Sequence, residues 1–272
     1  MAHCLKFTDA AGAVSGLAEP GAVRMSLPRK VVPETLDGLA ESDPSAMRSR
    51  RDLQRIHRVM GTRTIVAQAL RKLAARQPPA RPLRILELGA GDGSLMLGVA
   101  RASGPKIAGV ELTLLDRQRL VSQARLADYA DAGWRAGSDV RDVFDWAAAP
   151  GRWDIIVSNL FLHHFKGRQL HALLTAIESS SEGFFACEPR RGRLALAASH
   201  LVGAIGANAV TREDAVLSVH AGFRGTELSQ GWPRPSGSGR EWALDEYPAG
   251  LFSHCFCAMR RDSNPAQPKA LL

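Results

Sequence analysis

Cysteine is scarce in this 272-residue chain, with four residues (Cys4, Cys187, Cys255, Cys257) and no C-x-x-C pair. That excludes a disulfide framework and the zinc-ribbon and thioredoxin-type sites built from paired thiols. Reduced thiols and a cytoplasmic location are expected. Aromatic residues make up only 6% of the chain, and Tyr129 is the sole one between Thr8 and Gly133. The amino-terminal third therefore offers no surface on which nucleic-acid bases would stack. Long apolar runs are missing as well, so no span of the ~20 residues that cross a bilayer is expected. The nearest candidate, residues 194–210, contains His200 and Asn208 and is broken by Gly203 and Gly206. No signal peptide is expected, because Asp9 and Glu19 interrupt the start.

What is present is 45% hydrophobic and 23% charged residues, the balance of one globular domain with extensions. The net charge is +8, and residues 1–81 hold 14 basic against 7 acidic residues, so nearly all of the excess lies there. One reading is a docking arm for RNA or protein. The favoured reading is solvated helix faces, because only 6 of the 35 basic residues are lysine and the arginine habit runs through the whole chain. Nucleic acid is not expected as a partner.

Residues 1–42 read as a loose tail, small and without periodicity, with Met25 a possible alternative start. Asp43-Pro44 opens a helical cap over 43–76, with Gly61 dividing it and a Pro-rich linker at 77–82 ending it. From 77 to 262 short apolar runs alternate with helical stretches: strands at 83–88, 107–115, 134–140, 153–160 and 183–187, with helices at 94–102, 117–132 and 167–178. Such alternation implies right-handed crossovers and a doubly wound, mostly parallel sheet. Beyond it, helices are expected at 194–206 and 211–220, the latter with a Thr211/Asp214 capping box. Two last strands are expected at 225–228 and 251–260, and residues 263–272 form a tail.

The strongest chemical signal is Glu87-Leu88-Gly89-Ala90-Gly91-Asp92-Gly93, a strand ending in glycines that turn the backbone tightly against a ligand ahead of a helix amino terminus. Ser94 stands where a dinucleotide fold wants its third glycine, and Glu87 would repel a pyrophosphate while welcoming an ammonium group. Asp116, closing the second strand, is placed to accept from both hydroxyls of a ribose. Asp142, or alternatively Asp139, is placed to accept from an adenine amino group.

With these residues in view, the chain resembles the class I S-adenosylmethionine-dependent methyltransferases, on ELGAGDG, Asp116, the DVFDW segment and SNLFLHHF, across roughly residues 83–190. It looks like their small-molecule branch, which modifies quinones and polyketides, and VVPETLDGLAESDPSAMRSRRDLQRIHRVMG looks like that branch's helical cap. The resemblance implies a seven-stranded Rossmann-like fold and S-adenosylmethionine as cofactor. Glu87 would lie near its amino group, Gly89, Ala90, Gly91 and Gly93 along its methionine portion, Asp116 at its ribose, and Asn159 and Leu160 at its edge. Arg55 or Arg58 is a candidate partner for its carboxylate.

Substrate chemistry is expected at Leu162-His163-His164-Phe165. A phenol with a pKa of ~10 is a poor nucleophile at neutral pH, and a histidine near 6.5 takes its proton as transfer proceeds. His163 is the expected base and His164 its neighbour or substrate contact, although both alternatively pack or cap the next helix. Related phenol O-methyltransferases carry an acid where His164 stands. Glu188-Pro189 either lines the acceptor pocket or forms a plain turn, and His57 reads as structural. No metal is expected, since no clustered carboxylates or His pair at ligand spacing accompany the motif. The expected reaction is methyl transfer to an apolar aromatic or polyketide-like small molecule at a phenolic oxygen. Ring C-methylation, an RNA or protein methyltransferase and a non-catalytic cofactor-binding subunit are the alternatives.

Overall fold

The computed structural model describes residues 27–77, 81–104, 107, 109–234 and 241–261. The expected tail at 263–272 and the residues before 27, Met25 included, lie outside the described residues. Seven strands form one sheet in the order β3-β2-β1-β4-β5-β7-β6. Here β1 is Leu83–Leu88, β2 Val110–Asp116, β3 Trp134–Val140, β4 Trp153–Asn159, β5 Ser181–Pro189, β6 Trp242–Ala249 and β7 Ser253–Arg260. Strands β1 to β5 are parallel, and β7 inserts antiparallel between β5 and β6. This is the doubly wound, mostly parallel sheet that the alternation of strands and helices predicts, with the seven strands and Rossmann-like order that the resemblance implies.

Side chains alternate across a strand, so β4 sends Ile155 and Val157 to one face and Ile156 to the other, and β5 divides Phe185 and Phe184 in the same way. One face packs under α3 (Thr62–Ala74) and α4 (Ser94–Ser103). The other packs under α6 (Val143–Ala148), α7 (Gly167–Ser180) and α10 (Glu227–Gly231). Helix α3 is more than a cover: Val66, Leu70 and Leu73 are buried, and Leu73 lies against Gly183 of β5. Each such aliphatic side chain stabilises the fold by roughly 1.5–3 kcal/mol on burial.

Helix α2 (Pro44–Met60) starts as its sequence predicts, with the Asp43 carboxylate accepting from the N–H groups of Ser45 and Ala46. It stops at Gly61, whose φ of 67° is left-handed. Several other expectations are corrected. Helix α5 (Gln123–Asp131) begins behind an Ser122 cap rather than at residue 117. The helix expected at 194–206 is divided into α8 (Arg193–Ser199) and a 3₁₀ turn, Val202–Ile205. Helix α9 (Ala209–Ala221) is capped by Asn208, which accepts from Thr211 N–H, so there is no Thr211/Asp214 capping box. Residues 225–228 are not a strand, because Glu227 opens α10 and the edge strand is Trp242–Ala249. A short apolar run beside glycine does not separate helix from strand, whereas the antiparallel pairing with β7 does.

Residues 27–42, expected within a loose tail, run as an arm to the carboxyl ends of the strands. Arg29 holds it there, donating to the carbonyls of Ala221 (2.8 Å) and Phe165 (3.0 Å) and stacking on Phe223. Within the arm α1 (Thr35–Gly38) is one short turn whose first N–H groups, of Thr35 and Leu36, donate to the Asp214 carboxylate at 2.8 and 2.9 Å. Asp214 is thus a hook for the arm instead of a cap for its own helix.

Candidate active site

Glu87 sits at the end of central strand β1, 2% exposed, and its Oε2 has no hydrogen-bond partner. Burial, with Asp92 and Asp116 nearby, raises its pKa well above the usual carboxylate range. On adjacent β4, Asn159 is also buried; its Nδ2 donates to His57 Nε2 at 3.4 Å and its Oδ1 is left without a partner. Burial lowers the His57 pKa to about 4, so the ring is neutral and free to accept that bond. Two orphaned acceptors on neighbouring strands are costly unless a donor joins them, and a cationic ammonium group meets both needs.

The glycine turn beside them is tightly braced. Gly89 has φ 68°, and a Cβ there would collide with the Phe161 ring. The Asp116 carboxylate accepts from Gly91 N–H at 2.8 Å and Gln118 N–H at 2.9 Å, which leaves lone pairs for further donors. Tyr129 O–H donates to the Gly93 carbonyl at 2.6 Å, and Asp92 accepts from Gln54 of α2 at 2.8 Å. Gln54 thereby ties the helical cap to the turn, a link with no signature in the sequence. A cavity of about 570 Å³ opens here between α2, α3 and α4, lined by Gln54, His57, Arg58 and Ser94. Of the two arginine candidates, Arg58 lines this cavity while Arg55 is paired with Asp52 at 2.9 Å. Asp142 spends one oxygen capping α6 through Phe144 N–H, and Asp139 pairs with Arg141 at 2.8 Å. The residues present suit a nucleoside bearing a positively charged amino-acid tail: an acceptor pair for its ammonium, a carboxylate for its ribose and a turn whose first glycine has no room for a side chain.

At the end of β4, Leu160 adopts φ 49°, the one left-handed non-glycine among the described residues. It leads into a 3₁₀ turn, Leu162–His164, that presents the two histidines. His163 is 2% exposed and held from both sides. Its Nδ1–H donates to Glu188 Oε2 at 2.9 Å and its Nε2–H to Glu34 Oε1 at 3.2 Å. Hydrogen bonds and charge from both carboxylates outweigh desolvation and raise its pKa to about 9. Glu188 is fully buried at the end of β5 and also accepts from the N–H groups of Phe161, Leu162 and His163. These contacts hold it ionised, below its usual pKa. The plain-turn reading of Glu188-Pro189 is therefore set aside: the side chain anchors the His163 turn. His164 packs against His163 with ring centroids 4.2 Å apart, and its Nδ1 faces Asp37 at 3.2 Å. Burial and the His163 charge lower its pKa. Glu34, His163 and His164 each present a ligand-type atom within 4.8 Å of the others, a cluster invisible in the sequence, where residue 34 stands 129 positions from residue 163.

Sequence reasoning missed Glu34 altogether, and nothing around Pro33-Glu34 would have revealed it. Glu188 did leave a trace, since a lone carboxylate in the apolar strand GFFACEP demands a buried partner.

A family model described as a methyltransferase domain matches residues 57–194, half of the chain, and the chain belongs to that family. It is an S-adenosylmethionine-dependent methyltransferase, and S-adenosylmethionine is its cofactor. Among solved structures, the plantazolicin methyltransferase BpumL in complex with SAH is similar at 14% identity and a TM-score of 0.56, covering 81% of this chain and 92% of that one. An O-methyltransferase family protein from Burkholderia thailandensis is similar at 14% identity and a TM-score of 0.55, covering 82% and 62%. Both likenesses concern the fold. Comparison with curated proteins finds no match. Among the described residues no helix is long and apolar enough to cross a membrane.

Proposed function

We propose that the protein methylates a small aromatic or polyketide-like molecule at a phenolic oxygen, and that Nε2 of His163 is the seat of the acceptor's proton. The observation that carries this reading is the Glu188–His163 pair beyond the ends of β5 and β4, where Nδ1–H is committed to a buried carboxylate of the sheet and Nε2 is taken only by Glu34 of the arm. A carboxylate behind an imidazole fixes its tautomer and steadies the charged ring. When bound, the cofactor supplies a methyl group on a sulfonium, so that a C–O bond forms as the C–S bond breaks and the electron pair stays on sulfur. The chain's own part is to align the acceptor oxygen, exclude water and hold its proton. Glu87, Asn159 and Asp116 belong to the cofactor side, and His163, His164 and the arm to the acceptor side. The BpumL complexes with desmethylPZN analogs and SAH support a small-molecule acceptor on this fold.

Incubation with labelled cofactor and a panel of phenols and quinols, read by product mass, tests the proposal. His163→Ala is expected to lower kcat by roughly 10²–10⁴-fold while leaving SAH affinity unchanged. Unaltered turnover in that variant would remove the base assignment. A product methylated on ring carbon would favour the second reading, C-methylation beside an ionised oxygen.

A further inference from the structure

Glu34 Oε1 is held by two donors at once, Nε2–H of His163 at 3.2 Å and the Ser218 hydroxyl from α9. One oxygen facing two convergent donors, one of them cationic, is the arrangement that stabilises an oxyanion. The two carboxylates that flank His163 are built very differently. Glu188 is fully buried and takes three backbone N–H groups. Glu34 rides on an arm in which none of residues 27–42 is buried. Around Glu34 the arm depends on polar ties: Asp214 to Thr35 and Leu36, Arg117 to the Asp37 carbonyl and Gln118 to the Leu39 carbonyl at 3.3 Å. Segments secured this way open at low cost, whereas strands in the core do not. One carboxylate therefore belongs to the fold and the other is detachable.

We propose that Glu34 stands in for the acceptor: the arm withdraws its carboxylate, and the acceptor binds as an oxyanion in the slot between His163 Nε2 and Ser218, which restricts acceptors to acidic hydroxyl groups such as phenols and enols. The inference rests on the reading of His163 as the acceptor contact and deepens it by specifying the charge of the bound oxygen. Exchange of one anion for another conserves charge beside the Glu188–imidazolium pair. A neutral alcohol would leave the imidazolium short of one negative neighbour and bring its own proton into a slot made of donors. Glu188 faces His163 from β5, Glu34 from the arm, and His164 from the same turn with Asp37 behind it, while Ser218 of α9 reaches Glu34. Glu34 is one of the two carboxylates that raise the His163 pKa, so its withdrawal loosens the Nε2 proton. That proton goes to solvent, the acceptor's own proton takes its place on Nε2, and the oxygen binds as an anion.

The test uses the full chain saturated with SAH, and two probes, 4-nitrophenol and benzoate. Glu34→Ala is expected to bind 4-nitrophenol at least about tenfold more tightly than the unaltered protein, a difference of about 1.4 kcal/mol. The bound probe is expected to show the absorbance of its anion at a pH where the free probe is neutral. Adding Ser218→Ala should reverse part of the gain. Asp214→Asn, which loosens the arm and keeps Glu34, should give a smaller gain in the same direction and serves if Glu34→Ala does not fold. Failure of both probes to bind the variants more tightly, or a neutral bound nitrophenol, overturns the proposal. A gain for benzoate alone upholds the oxyanion slot and overturns the phenolic reading. Tight binding of the phenolate with no methylation of any phenol leaves the slot standing and removes only the proposed reaction.

Discussion

Glu87 is unfavourable for the ligand-free fold and, in the cofactor role proposed for it, favourable for the ligand. Its folded pKa lies well above 4.5, so in the ligand-free protein the unfolded chain releases this proton first, and stability falls as pH rises from about 4.5 toward the folded value. Glu87→Gln is expected to raise Tm at pH 7, by about 2–4 °C for each kcal/mol relieved, and to abolish most of the thermal shift induced by SAH. Calorimetry in buffers of different ionisation enthalpy is expected to show proton release when the unaltered protein binds SAH, because the ammonium favours the carboxylate form. A variant that lost Tm and kept the SAH shift would contradict both halves of this account. In the proposed reaction Glu188 acts at one remove, through its hydrogen bond to His163, as a positioning residue. In Glu188→Gln the His163 imidazole is expected to titrate below 9, visible in its NMR chemical shift, with kcat falling more than the affinity for SAH.

At the level of elements, the arm and α9 form a unit that the sequence barely announces. Asn208 caps α9 by accepting from Thr211 N–H at 2.8 Å, and its Nδ2 donates to the Ser45 carbonyl of α2 at 2.9 Å. Asn208→Ala is expected to lower stability by about 0.5–2 kcal/mol in urea unfolding, loosening the seam between α2 and α9. Sequence reading places α2, β1, the glycine turn and β3 well because their signals are local: a cap, a short apolar run, glycines in a row. It fails at α9's start because Asn208, Thr211 and Asp214 all have capping chemistry, and tertiary partners decide among them. Asp214 is claimed by the arm and Thr211 by Ser49 and Asp52 of α2. The site follows the same division. Glu87 and Asp116 flank a motif, whereas Glu34 and Glu188 reach His163 only through the fold.

For the molecule as a whole, the carboxylate–imidazole–carboxylate group makes stability depend on pH in both directions. His163, raised from 6.5 to about 9 when folded, contributes stability that is fully present below about pH 6.5 and lost as pH rises through 9. Glu34 and Glu188, lowered from 4.5, contribute stability that is present above 4.5 and lost as pH falls through their folded values. The three titrate as a coupled set. Their joint contribution is therefore greatest between about 4.5 and 6.5. Urea midpoints followed from pH 4 to ~10 are expected to show an alkaline decline that still begins near 6.5 but is smaller and ends at lower pH in Glu34→Gln, since His163 then has one carboxylate fewer. An unchanged alkaline limb would mean that Glu34 does not hold that proton.

Strand order has a bearing on how such a protein diversifies. Because β1 and β4 are neighbours, Glu87 and Asn159 are borne by adjacent strands at the ~4.8 Å spacing of any sheet, and their separation is as rigid as the sheet itself. The arm, by contrast, hangs from the periphery. Grafting another sequence onto residues 27–42 is expected to redirect the choice of acceptor while nucleoside affinity stays constant, so that the two halves of the reaction can evolve at different speeds.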